Sequence, residues 1–173
     1  MDSSYFSDFY AEMRPGIARF IRARFPFDLA EDLANETMLT LWQKDVAAPT
    51  SEIAERQLRS FVYSIAIGHI RNAERKQAAE GRLTTALGEA KLLIRGDIGD
   101  PTYEAVLPDR VGSLIAELSF DDRQALNLML AGFRTSDIAA ILEVTPKAAS
   151  MRLSRAKDRL RTKMAGEGVR GDG

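Results

Sequence analysis

Apolar residues recur at helical spacing through most of the chain, and no segment shows the strict alternation that is typical of a β-strand. The pattern predicts a helix over residues 5–25, with a kink or restart at Pro15 and Gly16. It predicts a second helix over residues 28–42 and a third over about 56–77. A further helical core follows from residue 111. The predicted fold class is therefore all-α.

Residues 132–163 are typical of a helix, a short turn and a second helix. The first of this pair should start at Thr135, and small Ala139 would let the two helices cross closely. Thr145 is a good N-cap residue, and Pro146 suits the first helical position. The second helix then carries one apolar stripe at steps of four, three and four: Ala149, Leu153, Ala156 and Leu160.

The residues off that stripe are mostly polar or basic and can face a ligand. Helix-turn-helix proteins place the start of the second helix in the DNA major groove. The alternative is an ordinary amphipathic hairpin with a solvated basic face. The predicted DNA-binding residues are Lys147, Ala148, Ser150, Met151, Arg152, Ser154 and Arg155.

The second predicted helix has a broad apolar face and a polar cluster opposite to it. Paired carboxylates can indicate acid–base catalysis or a metal site, but no histidine or other ligand stands at suitable spacing nearby. A solvated acidic face and a protein-docking face remain as alternatives. The cluster consists of Glu31, Asp32, Asn35 and Glu36.

The third predicted helix offers a second candidate nucleic-acid surface. Arg59, Tyr63, Ile67, Arg71 and Arg75 recur every four residues along one side. Arginines phased with an aromatic residue suit contacts with phosphates and unstacked bases. The alternative is a solvated face on which the arginines align by chance. Two further polar residues flank this line: Asn72 and Lys76.

Composition limits the remaining possibilities. The chain has 173 residues, a net charge of −1 and no cysteine, so disulfides and zinc thiolates are excluded. No segment is typical of a membrane span or a signal peptide, which favours a cytoplasmic protein without membrane insertion. Glycines and prolines predict a linker over 81–108 between domains at 1–80 and 109–164. We expect the tail, 165–173, to be disordered because it lacks apolar residues for a core.

At three places, in order along the chain, the sequence resembles the extracytoplasmic-function group of the sigma-70 superfamily. No single motif is decisive, but their order, with a linker between the second and the third, is specific. Residues 28–42 resemble region 2.2, residues 61–66 with Asn72 and Arg75 resemble regions 2.3 and 2.4, and residues 118–123 with 135–156 resemble region 4.

The resemblance implies a two-domain sigma factor that is not an enzyme and needs no cofactor. Glu31, Asp32, Asn35 and Glu36 would dock on the clamp helices of the polymerase β′ subunit, and the β flap would be a second contact on core RNA polymerase. The line from Arg59 to Lys76 would melt and recognise the minus-ten element of promoter DNA. Residues 147–155 would recognise the minus-thirty-five element. Family members are often inhibited by an anti-sigma factor, so one is expected as a partner.

Several residues depart from the family pattern. Ile67 and Gly68 stand where Arg-Asn is usual, and Asn72 stands where Asp is common. Ala148 and Met151 cannot hydrogen-bond base edges, although they can contact thymine methyl groups. The alternative function is a different helix-turn-helix regulator, in which residues 1–80 form a dimerisation or sensor domain. The two functions differ in what the first half contacts: polymerase, or a second copy and a ligand.

Overall fold

A computed structural model of the chain describes residues 2–86, 114–115 and 117–168. The chain divides into two compact units, and the regular elements described in both are α-helices. This confirms the predicted all-helical class. The first unit contains α1 (Ser3–Arg22), α2 (Phe27–Gln43) and α3 (Glu52–Ala86), and the second contains α4 (Phe120–Leu130), α5 (Thr135–Leu142) and α6 (Pro146–Gly168).

The long helices exceed the lengths that periodicity predicts. α3 runs to Ala86, beyond the predicted end near residue 77, and α6 runs to Gly168, into the tail expected to be disordered. A solvated helix end needs no apolar stripe, and an interior residue such as Gly81 costs only about 1 kcal/mol. Three segments lie outside the described residues: 87–108 of the predicted linker, 109–113 of the predicted second domain, and 169–173 of the tail. The domain boundaries stay predictions.

The first unit packs α1, α2 and α3 around one apolar core. Burying such side chains stabilises the unit by about 1.5–3 kcal/mol for each large residue. The edge of the Tyr63 ring meets Phe20, with ring centroids 5.3 Å apart. The largest core residues from α1 and α2 are Phe9, Met13, Ile17, Phe20, Ile21, Leu33, Met38 and Leu41, and α3 contributes Leu58, Val62, Tyr63, Ala66, Ile67 and Ile70.

α1 continues through Pro15 as one helix instead of restarting there. The residue after it, Gly16, permits a close approach to α3. A Cβ atom at Gly16 would lie 3.1 Å from the hydroxyl oxygen of Tyr63. That distance is too short for a relaxed contact, so a side chain here would displace the buried tyrosine. The glycine therefore sets how closely α1 can pack on α3.

The second unit confirms the predicted cap and stripe. The Thr145 hydroxyl accepts a hydrogen bond from the backbone N–H of Ala148 at 3.1 Å. Ala149, Leu153 and Ala156 are buried, and Leu160 packs against the core cluster. That cluster is formed by Ile115, Leu118, Leu126 and Ala156.

The turn between α5 and α6 is closed by a left-handed residue. Glu143 has φ 53° and ψ 44°, and its N–H donates to the carbonyl of Ala140 at 3.2 Å. The N–H of Val144 donates to the carbonyl of Ala139 at 3.0 Å. This pair of hydrogen bonds is the Schellman motif, which ends a helix and redirects the chain. It sets where α6 starts relative to α5.

A buried carboxylate ties α4 to α6. Asp122 lies in the first turn of α4 and is only 1% exposed. Arg155 donates to its Oδ1 through Nη2 at 2.9 Å and Nε at 3.2 Å, and Nη1 of Arg159 lies 3.7 Å from its Oδ2. Arg152 pairs with the adjacent Asp121 at 3.0 Å. Three arginines of α6 thus contact carboxylates of α4, and these contacts hold α6 on α4.

We expect Gly16→Ala to stabilise the protein less than Gly68→Ala, or to destabilise it. Both positions are helical, where alanine is favoured over glycine by about 1 kcal/mol. A Cβ at Gly16 would lie close to the Tyr63 hydroxyl, whereas nothing lies within 4 Å of a Cβ at Gly68. The free energy of unfolding of each variant is measured by urea unfolding of the full chain. The signal is the fluorescence of the single tryptophan, Trp42, in the first unit. In a Tyr63→Phe background the two substitutions should become equivalent. Equal stabilisation in the native background would contradict the close approach.

We expect Arg155→Ala to destabilise the second unit by about 1–3 kcal/mol, because the buried Asp122 loses its main hydrogen-bond donor. Lys157→Ala is the matched control, since Lys157 is an exposed cation on the same helix. Its effect should stay within about 0.5 kcal/mol. Hydrogen exchange of backbone amides in α4 and α6 of the full chain measures how much each variant is destabilised. Equal protection in both variants would show that the ion pair does not hold the two helices together.

Candidate nucleic-acid interface

The exposed face at the start of α6 is polar with one apolar member. Lys147, Ser150, Met151 and Ser154 are all exposed, and their spacing places them on one side of the helix. Met151 is 51% exposed. Ala148 is half-buried beside them. This face combines a cation, two hydroxyls and a thioether, a mixture suited to phosphate, base-edge and thymine-methyl contacts.

The two arginines predicted for this interface are placed differently from the other residues. Arg152 is largely buried against α4, where it pairs with Asp121, while the Arg155 side chain is 51% exposed despite its bonds to Asp122. Their DNA contacts stay predictions. In the structure both guanidinium groups stabilise the packing of α6 on α4, a role that spacing along α6 alone could not indicate.

The expectation of one outward line on α3 is wrong. Tyr63 and Ile67 are only 4% and 6% exposed and belong to the core. Burial raises the pKa of the Tyr63 hydroxyl to about 12, although the positive charges of Arg19 and Arg59 oppose this. The physical reason is that Leu58, Val62, Ala66 and Ile70 form an apolar stripe, and Tyr63 and Ile67 each lie one residue beyond it. Tyr63 therefore cannot contact an unpaired base from its buried position.

Arg59 is also separated from the basic end of α3. Its Nη2 pairs with Glu12 of α1 at 2.5 Å and with Glu55 at 2.9 Å. Burial lowers the pKa of Arg59, but the hydrogen bonds to Glu12 and Glu55 raise it overall. This arginine connects α3 to α1 in the structure.

The outward face of α3 instead starts at an exposed aromatic residue. Phe61 is 38% exposed, and the ammonium group of Lys44 lies 5.9 Å from its ring centroid. Ser64 and Gly68 follow on the same side and are also exposed. Phe61 lies one residue before Val62, on the side of the apolar stripe away from Tyr63, and the spacing alone is compatible with either aromatic residue facing inward. Beyond them the exposed polar end of the helix carries Arg71, Asn72, Arg75 and Lys76, of which Arg75 donates to Asn72.

The predicted acidic cluster on α2 divides into inward and outward members. Glu31 is bound by two arginines of α1: Arg14 at 2.5 Å, and Arg22. Its side chain is only 17% exposed, so its expected place on the outside is wrong. The reason is that α1 packs beside this edge of α2 and supplies cations there. Asp32 remains exposed.

Asn35 and Glu36 are exposed but contact neighbouring helices. Asn35 accepts hydrogen bonds from the Tyr10 hydroxyl and from Nε of Arg14, each at 3.0 Å. Glu36 lies 3.5 Å from Nδ1 of His69, the only histidine of the chain. Nε2 of His69 is within hydrogen-bond distance of the Thr40 hydroxyl, at 3.1 Å. The histidine is thus locally bonded between α2 and α3.

Apolar side chains continue this face of α2 towards its end. Leu39 is 54% exposed and Trp42 is 41% exposed. The Trp42 ring packs on Phe6 of α1 with centroids 4.7 Å apart. Helical spacing alone did not indicate this exposed apolar extension. Aromatic side chains are enriched in protein interfaces and polar groups lie at their rims, so Trp42 beside the carboxylates suits a protein-docking surface.

Across residues 2–86 and 117–168, no group of three or more histidine, aspartate or glutamate side chains is arranged to hold a metal ion. The helices described in these ranges include none that is long and apolar enough to cross a membrane.

Comparison with known proteins connects this geometry to a family. Residues 109–160 match the family model described as Sigma-70, region 4. The solved structure of the sigma factor RpoE with the anti-sigma factor NepR from Bartonella quintana is 23% identical, covers 97% of this chain and 98% of that one, and has a TM-score of 0.65. The structure of CnrH in complex with the cytosolic domain of CnrY is 18% identical in sequence. The match covers 95% of this chain and 90% of that chain, with a TM-score of 0.57. No curated protein matches the chain. Residues 109–160 are therefore similar to a sigma-70 region 4 domain, and the chain shares the fold of the solved RpoE and CnrH structures.

Proposed function

We propose that the protein is an alternative sigma factor that binds core RNA polymerase, directs it to specific promoters and assists strand opening. The observation that carries this proposal is the outward polar face of α6, within a region 4 domain, on a chain that shares its fold with a known sigma factor. The proposed activity requires promoter DNA and polymerase as partners, and it places the protein in the cytoplasm.

In this proposal α6 recognises the minus-thirty-five element in the major groove. Lys147, Ser150, Met151 and Ser154 face the bases and nearby phosphates, because they are exposed on the first turns of the helix. Arg155 contributes to phosphate binding only through the part of its guanidinium group that Asp122 leaves accessible. Thymine methyl groups are the natural partners of Met151.

Polymerase docking is assigned to the outward face of α2. Asp32 and Glu36 supply exposed negative charge, and Leu39 and Trp42 supply adjacent apolar surface. We assign this face to the clamp helices of the β′ subunit, and the second unit to the β flap. An anti-sigma factor is a further proposed partner, since the RpoE structure is a complex with the anti-sigma factor NepR.

Strand opening is assigned to the outward face of α3, with Phe61 in the role first expected of Tyr63. An exposed aromatic ring can stack on an unpaired base, and the cations further along the helix can hold phosphates. Arg71, Arg75 and Lys76 are all exposed on that part of α3.

Run-off transcription tests the proposed function as a whole. Purified core polymerase and a promoter from the neighbouring operon should give a transcript only when the protein is added. Core polymerase alone is the control. Repression without any stimulation, together with self-association of the first unit, would instead support the alternative of a helix-turn-helix regulator with a dimerisation domain.

We expect the charge-reversal pair Asp32→Lys and Glu36→Lys to lower affinity for core polymerase by at least about 100-fold. The reason is that like charges brought together at an interface cost several kcal/mol. The control pair, Asp8→Lys and Glu80→Lys, makes the same charge change at exposed sites of the first unit. Co-purification measures binding, and circular dichroism verifies the fold. Retained binding by the folded Asp32 and Glu36 variant would reject this docking surface.

We expect Phe61→Ala to reduce promoter opening by about tenfold or more, because stacking a base on an aromatic ring contributes about 1–3 kcal/mol. Phe27→Ala is the matched control, since Phe27 is a similarly exposed phenylalanine of the first unit, at 47%. Permanganate reactivity of thymines near the start site measures opening, and a pre-melted promoter should restore transcription. Opening at the native rate by Phe61→Ala would leave α3 without a strand-capture role.

A further inference from the structure

A single buried carboxylate holds an arginine that stays open to solvent at the edge of α6. Asp122 is only 1% exposed, and its backbone N–H donates to the hydroxyl of Ser119, the cap of α4, at 3.3 Å. The carboxylate is therefore fixed on the first turn of α4. Its Oδ1 accepts hydrogen bonds from Nε and Nη2 of Arg155, at 3.2 and 2.9 Å, although the Arg155 side chain is 51% exposed.

The way in which Arg155 meets Asp122 leaves one edge of its guanidinium group available. Arginine has five N–H donors in one plane. Asp122 accepts from Nε–H and from one N–H of Nη2, so the remaining donors lie on Nη1 and Nη2. Among the described residues, Arg155 has no other hydrogen-bond or ion-pair partner. Its free edge therefore carries one donor from each Nη atom, the parallel pair that binds a phosphate through two oxygens.

Arg155 lies at the side of the exposed face of α6. It continues the line of Lys147 and Met151 at steps of four, and its neighbour towards α4, Arg152, is already packed against that helix. A helix in the major groove presents its middle to the bases and its sides to the phosphates that border the groove. The position of Arg155 therefore suits a phosphate better than a base edge.

We infer that Asp122 is a positioning residue for promoter binding, which orients Arg155 so that its free edge binds a phosphate of the DNA. The inference rests on the proposed function. Ordering a long side chain on binding weakens an association by about two- to tenfold, and Asp122 orders Arg155 beforehand. Helical spacing gives no sign of this role, because Asp122 is buried and lies 33 residues from Arg155.

Asp122→Asn tests the inference, because orientation and charge predict opposite results. Asparagine keeps the shape but holds Arg155 without a charge, which weakens the hydrogen bonds. Removing a negative charge would by itself strengthen DNA binding. We nevertheless expect the complex of this variant with core polymerase to bind promoter duplex at least about threefold more weakly than the native complex. The slope of log affinity against log salt should also become shallower, by up to about one unit.

The duplex comes from the promoter that run-off transcription identifies and ends before the minus-ten element, so that strand opening does not contribute. Fluorescence anisotropy over a range of salt concentrations measures its affinity. Glu117→Gln is the control for charge, because it removes an exposed negative charge that pairs with Lys163 of α6. The complex that contains this variant should bind at least as tightly as the native complex.

A double-mutant cycle separates positioning from a purely structural role. In an Arg155→Ala background, Asp122→Asn should cause no further loss of DNA affinity, because the side chain on which Asp122 acts is absent. A structural role would lower the affinity in both backgrounds. Arg155→Lys keeps the charge but lacks the planar pair of donors, so it should weaken binding by at least about threefold as well.

Native or tighter DNA binding by Asp122→Asn, once circular dichroism shows that it is folded, would overturn the inference. If Asp122→Asn does not fold, Arg155→Lys decides, and native affinity of that variant would overturn it equally. Both results would leave the proposed function intact. If the native complex bound the duplex no better than core polymerase alone, the proposed function itself would fail.

Discussion

Ion pairs between helices determine which charges of this protein remain for its partners. Arg14 and Arg22 bind Glu31, Arg59 binds Glu12, and Arg155 binds Asp122. An exposed pair such as Arg59–Glu12 contributes little to stability, about 0–1 kcal/mol. Removing one partner of a buried carboxylate such as Asp122 costs more, because the remaining charge is left uncompensated. Their larger consequence is that they determine which charged groups stay available to a partner. Each pair offsets a positive charge with a negative one and leaves exposed neighbours such as Asp32 and Lys147 to act on a partner.

The first unit separates its two proposed activities onto two helices. α2 presents the carboxylates of Asp32 and Glu36, the amide of Asn35, and the exposed side chains of Leu39 and Trp42. α3 presents Phe61 and the cations at its exposed end. Both faces depend on α1. It neutralises Glu31, orients Asn35 and approaches α3 at Gly16, where the Tyr63 hydroxyl limits the distance. The helix with no proposed partner of its own thus determines what the other two offer.

The second unit shows how a recognition helix is positioned without a glycine in its turn. Glu143 adopts the left-handed conformation that glycine adopts most easily, and two backbone hydrogen bonds close the turn. Thr145 then caps α6, and Asp122 holds its far side through Arg155. A cap, a turn and an ion pair therefore set the position of α6 and leave its first turns open for a ligand.

Much of this architecture was predictable from the sequence alone, because its signals are local. Thr145 caps its own helix, and the stripe Ala149, Leu153 and Ala156 is buried as its spacing predicts. The all-helical class and the region 4 helix pair follow from the same kind of signal. Local spacing could not decide between the two sides of α3, where Tyr63 is buried and Phe61 is exposed. Local spacing also could not predict that Glu31 faces inward or that the Asn35 amide is bonded to α1. The last two outcomes depend on cations and a hydroxyl that α1 brings from 9 to 25 residues away, and only the packing of the helices decides where these groups lie.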